Sequence, residues 1–217
     1  MIHYKVPFYA NLDNTHCYQA ALRSVLKYFL PDKEYSWKEL EEMTAKRKGF
    51  WTWPTQGLIN LYKMGFKVVN IEDFDAEEFV QTGEDYLLKT YGHEIGKLQI
   101  ANSDIPQEQK LYKEYLTYHN YQRKLPQIED IKALLDDGYL VICNINARAL
   151  NNKDGYVGHF IVIVGCDEKD LFLHDPGLPP FENRKVTFDH FTKAWAYPDD
   201  RAKNLIGVRY SLKQHYE

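Results

Sequence analysis

The sequence has few of the features that would mark a disulfide-rich, membrane-spanning or nucleic-acid-binding protein. Its three cysteines are an odd number without a CxxC pair, which argues against a disulfide framework. No stretch approaches 18 consecutive apolar residues, so we expect no membrane span and no membrane partner. A net charge of −4 without any run of lysine or arginine argues against a nucleic-acid partner. The first residues lack the basic and then apolar pattern of a signal peptide, so we expect a cytoplasmic protein with reduced thiols.

The chain is rich in tyrosine, with 17 among its 217 residues. A chain of this length can bury one substantial core without disulfides or metals, and we predict a single domain over residues 1–217. Its fractions of hydrophobic and charged residues, 44% and 27%, are those of an ordinary globular protein. Cysteine and histidine show no spacing typical of a zinc site, so we expect neither metal nor cofactor.

The order of the predicted elements indicates the fold class. Helix-favouring segments occupy the first part of the chain, and apolar segments typical of strands occupy its last third. Helices followed by a mostly antiparallel sheet predict an α+β protein. The strand segments are YLVICNIN, HFIVIVGCDE, DLFLHDPG and IGVRYSL.

A region between these parts, about residues 72–125, has a different character. It is charged, tyrosine-rich and helix-favouring, and we predict a helical insertion packed on the main domain. Leu111, Tyr115, Tyr118 and Tyr121 recur at helical spacing, which predicts one core-facing stripe of a helix. Tyrosine suits recognition surfaces as well as packing, so a role in substrate choice and a purely structural role both stay open.

Residues 11–29 combine a polar, turn-prone segment with one cysteine and an apolar-rich helix. Asn14 or Thr15 is the predicted N-cap of this helix, which places Cys17 in its first turn. Free N–H groups and the helix dipole favour negative charge there, and such sites lower a thiol pKa from about 8.5 into the range of roughly 3.5 to 7.5. The alternative is that Cys17 is a small buried apolar residue.

His159 and Asp175 are candidates to act with Cys17. His159 opens one predicted strand and Asp175 closes the next, 16 residues later. If the two strands form a hairpin, antiparallel pairing brings these residues close together. A cysteine nucleophile needs a base and a group that orients the base. A single histidine at the start of a strand is more often structural. The combination of Cys17, His159 and Asp175, each at the end of an element, favours catalysis.

Four segments, covering about half of the chain, resemble the papain-like cysteine peptidases of the bacteriocin-processing type, which act at double-glycine leaders, and their stand-alone relatives. Residues 72–125 have no counterpart in this resemblance. The resembling segments are VPFYANLDNTHCYQAALRSVLKYF, DIKALLDDGYLVICNI, GHFIVIVGCDEKDLFLHDPG and FDHFTKAW.

The resemblance implies a papain-like fold, in which an N-terminal helical part with the central nucleophile helix packs on a mostly antiparallel sheet. It also implies Cys17 as nucleophile, His159 as general base and Asp175 as orienting acid. The family has a glutamine six residues before the cysteine to hold the oxyanion, and Asn11 stands there in this chain. The Cys17 N–H would be the second donor. Asn14 is a rival source of the amide.

Other residues near these motifs have weaker claims to a role. The family commonly has Gly-Pro after the cysteine, whereas this chain has Tyr18-Gln19. His16 adjoins Cys17, but neighbouring helix residues do not face each other. His174 precedes Asp175 and should point to the opposite face of its strand.

The two remaining cysteines and two tryptophans differ in their expected roles. Cys143 and Cys166 lie inside apolar runs, and we expect them to be inert core thiols. Trp51 and Trp53 are candidates for the lining of a substrate cleft, with plain packing as the alternative.

The resemblance favours hydrolysis of a peptide or amide bond through an acyl-enzyme. An acyltransferase that passes the acyl group to an amine would use the same three residues. A catalytically silent module that binds a peptide or protein is the third possibility, and it predicts an ordinary thiol at Cys17. The expected partner is a peptide or a small amide or acyl substrate, while the sequence leaves the oligomeric state open.

Overall fold

The structure, a computed structural model, describes residues 1–210. Ser211 and Leu212, the end of the last predicted strand, lie outside the described residues. In chain order the elements are β1 (Ile2–His3), α1 (Cys17–Phe29), α2 (Trp37–Met43), α3 (Thr55–Lys63), β2 (Phe66–Glu72), α4 (Ala76–Thr82), α5 (Glu84–Ala101), α6 (Ile105–Tyr115), β3 (Tyr121–Arg123), α7 (Ile128–Asp136), β4 (Leu140–Asn146), α8 (Ala147–Leu150), β5 (Gly158–Cys166), β6 (Asp170–Asp175), β7 (Phe181–Thr187), α9 (Phe188–Trp195) and β8 (Asn204–Tyr210).

The strands form one sheet in the order β3-β2-β8-β4-β5-β6-β7, and β1 pairs with the end of β5. All these pairs are antiparallel except β2 with β3. The prediction of an α+β fold with a mostly antiparallel sheet is therefore confirmed. Within residues 1–210 no helix combines the length and the apolar character that a membrane crossing requires.

The central strands of the sheet are buried on both faces, which explains why they are continuously apolar. Along β5, Val162 and Val164 join the core beneath α1, whereas Ile161 and Ile163 join the core that contains Trp195. Successive side chains of a strand point to opposite faces, so a strand covered on both sides needs an apolar residue at every position.

The helix α1 is the central element of the first core. Eight of its 13 residues are buried, and it packs across β5. Its N-cap is His16, whose side chain makes no capping bond, so the predicted cap at Asn14 or Thr15 is wrong. Thr15 belongs to the turn before the helix, where its N–H donates to Asp13 Oδ1 at 2.6 Å. Cys17 is consequently the first helical residue.

The tyrosine-rich region contains α4, α5, α6 and β3. The prediction that Tyr118 and Tyr121 continue one helical stripe is wrong, because α6 ends at Tyr115. A short 3-10 turn follows, His119 adopts a positive φ of 53°, and Tyr121 begins β3 beside β2. Backbone pairing with the sheet edge has here prevailed over helix propensity. The division of the chain into one domain with an insertion stays a prediction.

Candidate active site

The turn before α1 is held by the side chain of Asn11. Its Oδ1 accepts hydrogen bonds from the N–H groups of Asp13, at 3.2 Å, and of His16, at 3.0 Å. The backbone N–H of Asn11 donates to the carbonyl of Pro176 at 2.8 Å. The segment before Cys17 is thus attached to the loop that follows Asp175.

The two candidate amides differ in their surroundings. Asn11 is buried, and its Nδ2 donates to no protein atom within residues 1–210. Because its oxygen already accepts two hydrogen bonds, the amide nitrogen is the group left to bind an oxyanion. Asn14 is exposed and lines the cleft described below, whereas Asn11 is not among the cleft-lining residues. The preference for Asn11 stays a prediction.

His159 contacts both other members of the predicted triad. Its Nε2 lies 2.8 Å from Asp175 Oδ1, and its ring lies close enough to the side chain of Cys17 for each group to shift the pKa of the other. The antiparallel pairing of β5 with β6 brings the strand-start histidine to the strand-end aspartate, as the spacing of 16 predicted. Their exposed fractions are only 6% and 4%, so these contacts are largely shielded from water.

The charges of Cys17 and His159 stabilise each other. Burial raises the pKa of the Cys17 thiol, but the hydrogen bond and the charge of His159 outweigh burial and lower it below its ordinary value. Burial lowers the pKa of His159, but hydrogen bonds with Asp175 and Cys17 outweigh it and raise this pKa to about 9. Both shifts favour a thiolate beside an imidazolium near neutral pH.

Asp175 is held by three donors, two of which the sequence did not suggest. Gly177 N donates to its Oδ1 at 3.0 Å, and Arg184 Nη1 donates to its Oδ2 at 2.9 Å. Burial raises the pKa of Asp175, but its bonds with His159, Gly177 and Arg184 lower it below the ordinary value. The signal in the sequence for Arg184 is that it is a basic residue on β7, the strand that follows Asp175.

The other histidines and cysteines make different contacts. The ring nitrogens of His16 lie 2.8 Å from Asp13 Oδ1 and 2.6 Å from Glu41 Oε1, so carboxylates occupy both of them. Nε2 of His174 lies 2.9 Å from the carbonyl oxygen of Val6. The thiols of Cys143 and Cys166 are buried, and burial raises the pKa of each.

Cys17 opens on a cleft of about 960 Å³, which Trp51 and Trp53 also line. Trp51 is 40% exposed. Its ring centroid lies 6.5 Å from that of Tyr156, which belongs to the loop before β5. Trp53 stacks on Phe79 at 5.5 Å and donates from Nε1 to Ser103 Oγ at 2.8 Å. Trp53 therefore joins the cleft to the tyrosine-rich region, which contributes Tyr91, Ile95, Gln99, Asn102 and Tyr112 to the lining.

Two asparagines connect the strands beneath the cleft. Asn144 Oδ1 accepts from the N–H of His159 at 3.1 Å and thereby helps position the start of β5. The N–H of Asn144 donates to Asn204 Oδ1 at 2.7 Å, and Asn204 Nδ2 donates to the Asn144 carbonyl at 2.9 Å. Sequence reasoning missed both residues. The signal in the sequence is that Asn144 is a polar residue inside an apolar strand segment and Asn204 is a polar residue at the start of another.

The described residues bring no three or more histidine, cysteine, aspartate or glutamate side chains together in an arrangement that could hold a metal ion.

Comparison with known proteins gives a family match over most of the chain. The sequence model of one protein family, described as the Peptidase_C39 like family, matches residues 3–202. A search of curated proteins finds no match.

Several solved structures share the fold. A putative C39-like peptidase from Bacillus anthracis is 16% identical, with a TM-score of 0.54 and coverage of 98% of each chain. The peptidase domain of Streptococcus ComA, a bifunctional ABC transporter of a quorum-sensing pathway, is 16% identical, with a TM-score of 0.52 and coverage of 96% of this chain and 100% of that chain. A double-glycine-motif protease from an AMS/PCAT transporter, solved with its leader peptide, is 12% identical, with a TM-score of 0.50 and coverage of 96% and 94%. At these identities the likeness shows the papain-like C39 peptidase fold.

Proposed function

The chain belongs to the Peptidase_C39 like family, and we propose that it is a thiol-dependent hydrolase that cleaves a peptide or amide bond with Cys17. In this proposal His159 is the general base and Asp175 orients its ring. The observation that carries the proposal is the placement of Cys17 beside His159, whose ring lies 2.8 Å from Asp175, at a cleft that begins at the start of a buried helix.

The proposed reaction begins from the thiolate–imidazolium pair. The Cys17 sulfur attacks the substrate carbonyl carbon, and the carbonyl oxygen becomes an oxyanion. The imidazolium of His159 gives its proton to the leaving amine as the carbon–nitrogen bond breaks, which leaves a thioester on Cys17. A water molecule then attacks the thioester while His159 takes its proton. The acid product departs, and the proton on His159 restores the ion pair.

The oxyanion requires donors at the start of α1. The Cys17 N–H belongs to the first helical residue, where backbone N–H groups lack partners within the helix. Asn11 Nδ2 supplies the second donor in our proposal, because the two hydrogen bonds to Asn11 Oδ1 fix the orientation of the amide. Removing one donor of this kind typically reduces kcat by about 10²- to 10³-fold.

A peptide is the favoured class of substrate. One structure of the same fold, at 12% identity, is described as bound to a leader peptide. The cleft of about 960 Å³ lies at the upper end of the roughly 300–1,000 Å³ typical of small-molecule sites, so it has room for several residues of an extended chain. Trp51, Trp53 and Tyr91 give it large aromatic surfaces for side-chain contacts.

The experiment is to incubate the protein with a mixed peptide library and to follow products and acyl-enzyme by mass spectrometry. We expect cleavage and a covalent adduct on Cys17 with the wild-type protein, and neither with Cys17→Ala. Cys166→Ala, which removes a buried thiol outside the cleft, is the matched control and should cleave like the wild type.

The products also separate hydrolysis from its alternatives. Free acid indicates hydrolysis, whereas transfer of the acyl group to an added amine indicates an acyltransferase with the same triad. Cleavage that persists in Cys17→Ala would exclude the proposed nucleophile. Bound peptide without any adduct or product from the wild-type protein would favour the silent binding module.

A further inference from the structure

The cleft contains a carboxylate that the proposed reaction does not use. Glu72 is the last residue of β2 and lines the cleft together with Asn70 from the same strand. Residues two apart on a strand share a face, so both side chains point to the cleft side of the sheet. The surface of Glu72 remains partly accessible through the cleft.

The contacts of Glu72 leave half of its carboxylate free. Asn70 Nδ2 donates to Oε1 at 3.0 Å, and the Tyr112 hydroxyl donates to the same oxygen at 3.4 Å. Within residues 1–210, Oε2 accepts no hydrogen bond and no basic side chain forms an ion pair with the carboxylate. Burial without a cation raises the pKa of Glu72 to about 7, although its bonds with Asn70 and Tyr112 act in the opposite direction.

Aromatic rings surround this end of the cleft. Phe74 and Tyr112, whose ring centroids are 5.2 Å apart, line it together with Tyr91. The centroid of Trp53 lies 6.2 Å from that of Tyr112. The faces of such rings attract cations, and the attraction strengthens when water is excluded.

Most other charged groups along the cleft already have partners. Asp13 and Glu41 contact the two ring nitrogens of His16. Lys46 Nζ donates to a backbone carbonyl at 2.7 Å, and Arg201 Nη2 lies 2.8 Å from Asp199 Oδ2. Lys48 is exposed, in a loop of the cleft rim. Glu72 therefore differs from these groups in being an inward-facing charge without a counter-ion in the described part of the chain.

The sheet register gives the distance from Glu72 to the start of β5. Glu72 pairs with Asn204 on β8, Asn204 is hydrogen-bonded to Asn144 on β4, and Asn144 pairs with Phe160 on β5. Phe160 adjoins His159. Three interstrand spacings of about 4.8 Å separate β2 from β5, which is on the order of 14 Å. An extended peptide spans this distance in about four residues.

We propose that Glu72 forms a specificity subsite for a cationic group of the substrate, such as a lysine or arginine side chain or a terminal ammonium. The location of the reacting carbonyl at Cys17, and hence a spacing of about four residues, rests on the function proposed above. A cation in the subsite would bind the free Oε2 while the rings pack against its hydrocarbon stem. A neutral or acidic group would leave the carboxylate without a counter-ion.

The test compares peptides that differ only in carrying lysine or norleucine at one position. The position is varied over five residues on each side of a cleaved bond. Binding is measured by fluorescence anisotropy with Cys17→Ala, and turnover is measured with otherwise wild-type protein. We expect one position where lysine is preferred by about tenfold or more, as for a hydrogen bond to a charged group.

The variants assign this preference to the carboxylate. Glu72→Gln keeps an oxygen for Asn70 and Tyr112 but removes the charge, and it should abolish the lysine preference. Glu72→Lys should reverse it in favour of glutamate at the same position. Glu108→Gln is the matched control, because burial raises the pKa of Glu108 to about 7 as it does that of Glu72, but Glu108 does not line the cleft. Its lysine preference should equal that of the wild type.

The outcomes separate the subsite from the proposed function. Cleavage by Cys17→Ala would contradict the proposed nucleophile, while the anisotropy experiment would still report on Glu72. Normal cleavage by the wild type with no lysine preference at any position would overturn the subsite alone. A preference that persists unchanged in Glu72→Gln would overturn it as well. Glu72→Asp, which keeps the charge on a shorter stem, should retain part of the preference and guards against a folding defect in the amide variant.

Discussion

Arg184 Nη1 lies 2.9 Å from Asp175 Oδ2, so the carboxylate that contacts His159 is itself held by a guanidinium. The second terminal nitrogen of Arg184 donates to the carbonyl of Leu150 at 2.8 Å. This contact attaches β7 to the end of α8 and fixes the arginine in one orientation. Each oxygen of Asp175 therefore has a separate task, because Oδ1 faces the imidazole and Oδ2 faces the arginine.

We expect Arg184→Ala to reduce kcat/KM by roughly 10- to 100-fold, the typical effect of losing a hydrogen bond to a charged group. The reduction should fall mainly on kcat, because Arg184 positions Asp175 and does not line the cleft. Arg184→Lys should restore part of the activity. Lys185→Ala is the control, since Lys185 adjoins Arg184 in the sequence but its side chain contacts Asp167 and Asp170 on the surface. Equal activity of Arg184→Ala and the wild type would show that Asp175 needs no second support.

The three histidines near the site should differ sharply in their effect. His159→Ala removes the proposed base, so acyl-enzyme formation should fall by about 10³-fold or more. His16→Ala and His174→Ala should keep most of it, because His16 contacts Asp13 and Glu41 and His174 contacts a backbone carbonyl. Pre-steady-state mass spectrometry of the adduct measures this. A loss in His16→Ala as large as in His159→Ala would show that the base has been misassigned.

The sequence was informative where chemistry coincides with the ends of elements. Cys17 opens α1, His159 lies at the start of β5, and Asp175 ends β6, and each could be found from one local pattern. Antiparallel pairing then implied their proximity, because a hairpin has few possible registers. The family resemblance supported the same three residues independently.

The sequence was less informative where a contact depends on tertiary packing. Arg184 reaches Asp175 across a strand pair whose register is irregular between Leu173 and Asp175, which no local pattern reveals. Tyr121 was assigned to a helix because its spacing fits one, whereas pairing with β2 made it a strand residue. The predicted cap of α1 is wrong because Thr15 hydrogen-bonds Asp13 in a separate turn before the helix.

Alkylation should identify Cys17 as the reactive thiol. With iodoacetamide near pH 6, Cys17 should be labelled well before Cys143 and Cys166, because His159 lowers its pKa while burial raises the pKa of the other two. His159→Ala removes the hydrogen bond and the positive charge that favour the thiolate. The pH midpoint of alkylation should therefore move upward in that variant. Peptide mapping by mass spectrometry gives the site, and equal labelling of all three cysteines in the folded protein would contradict the assignment.

Hydrogen exchange should show whether the tyrosine-rich region takes part in substrate binding. Residues of α5 and α6, including Tyr91 and Tyr112, line the cleft, and Trp53 connects the region to the loop beside Cys17. We expect a bound peptide or covalent probe to increase protection across residues 72–125. Changes confined to residues 11–17 and 51–53 would instead indicate that the region only supports the fold. Cys17→Ala with the same peptide provides a complex that does not turn over.

Glu108 should make the free energy of unfolding depend on pH. Its Oε2 is buried and accepts no hydrogen bond within the described residues, and burial raises its pKa from 4.5 to about 7. Between these two values the folded protein holds a proton that the unfolded chain has lost, so the free energy of unfolding falls as the pH rises. A shift of this size corresponds to about 3 kcal/mol. Glu108→Gln cannot ionise, and its stability relative to the wild type should therefore increase by about that amount between pH 4 and pH 8. Urea unfolding at both pH values measures the change, and Glu77→Gln, an exposed first-turn glutamate of α4, should show little of it. A stability difference for Glu108→Gln that is independent of pH would mean that Glu108 ionises as readily in the folded protein as in the unfolded chain.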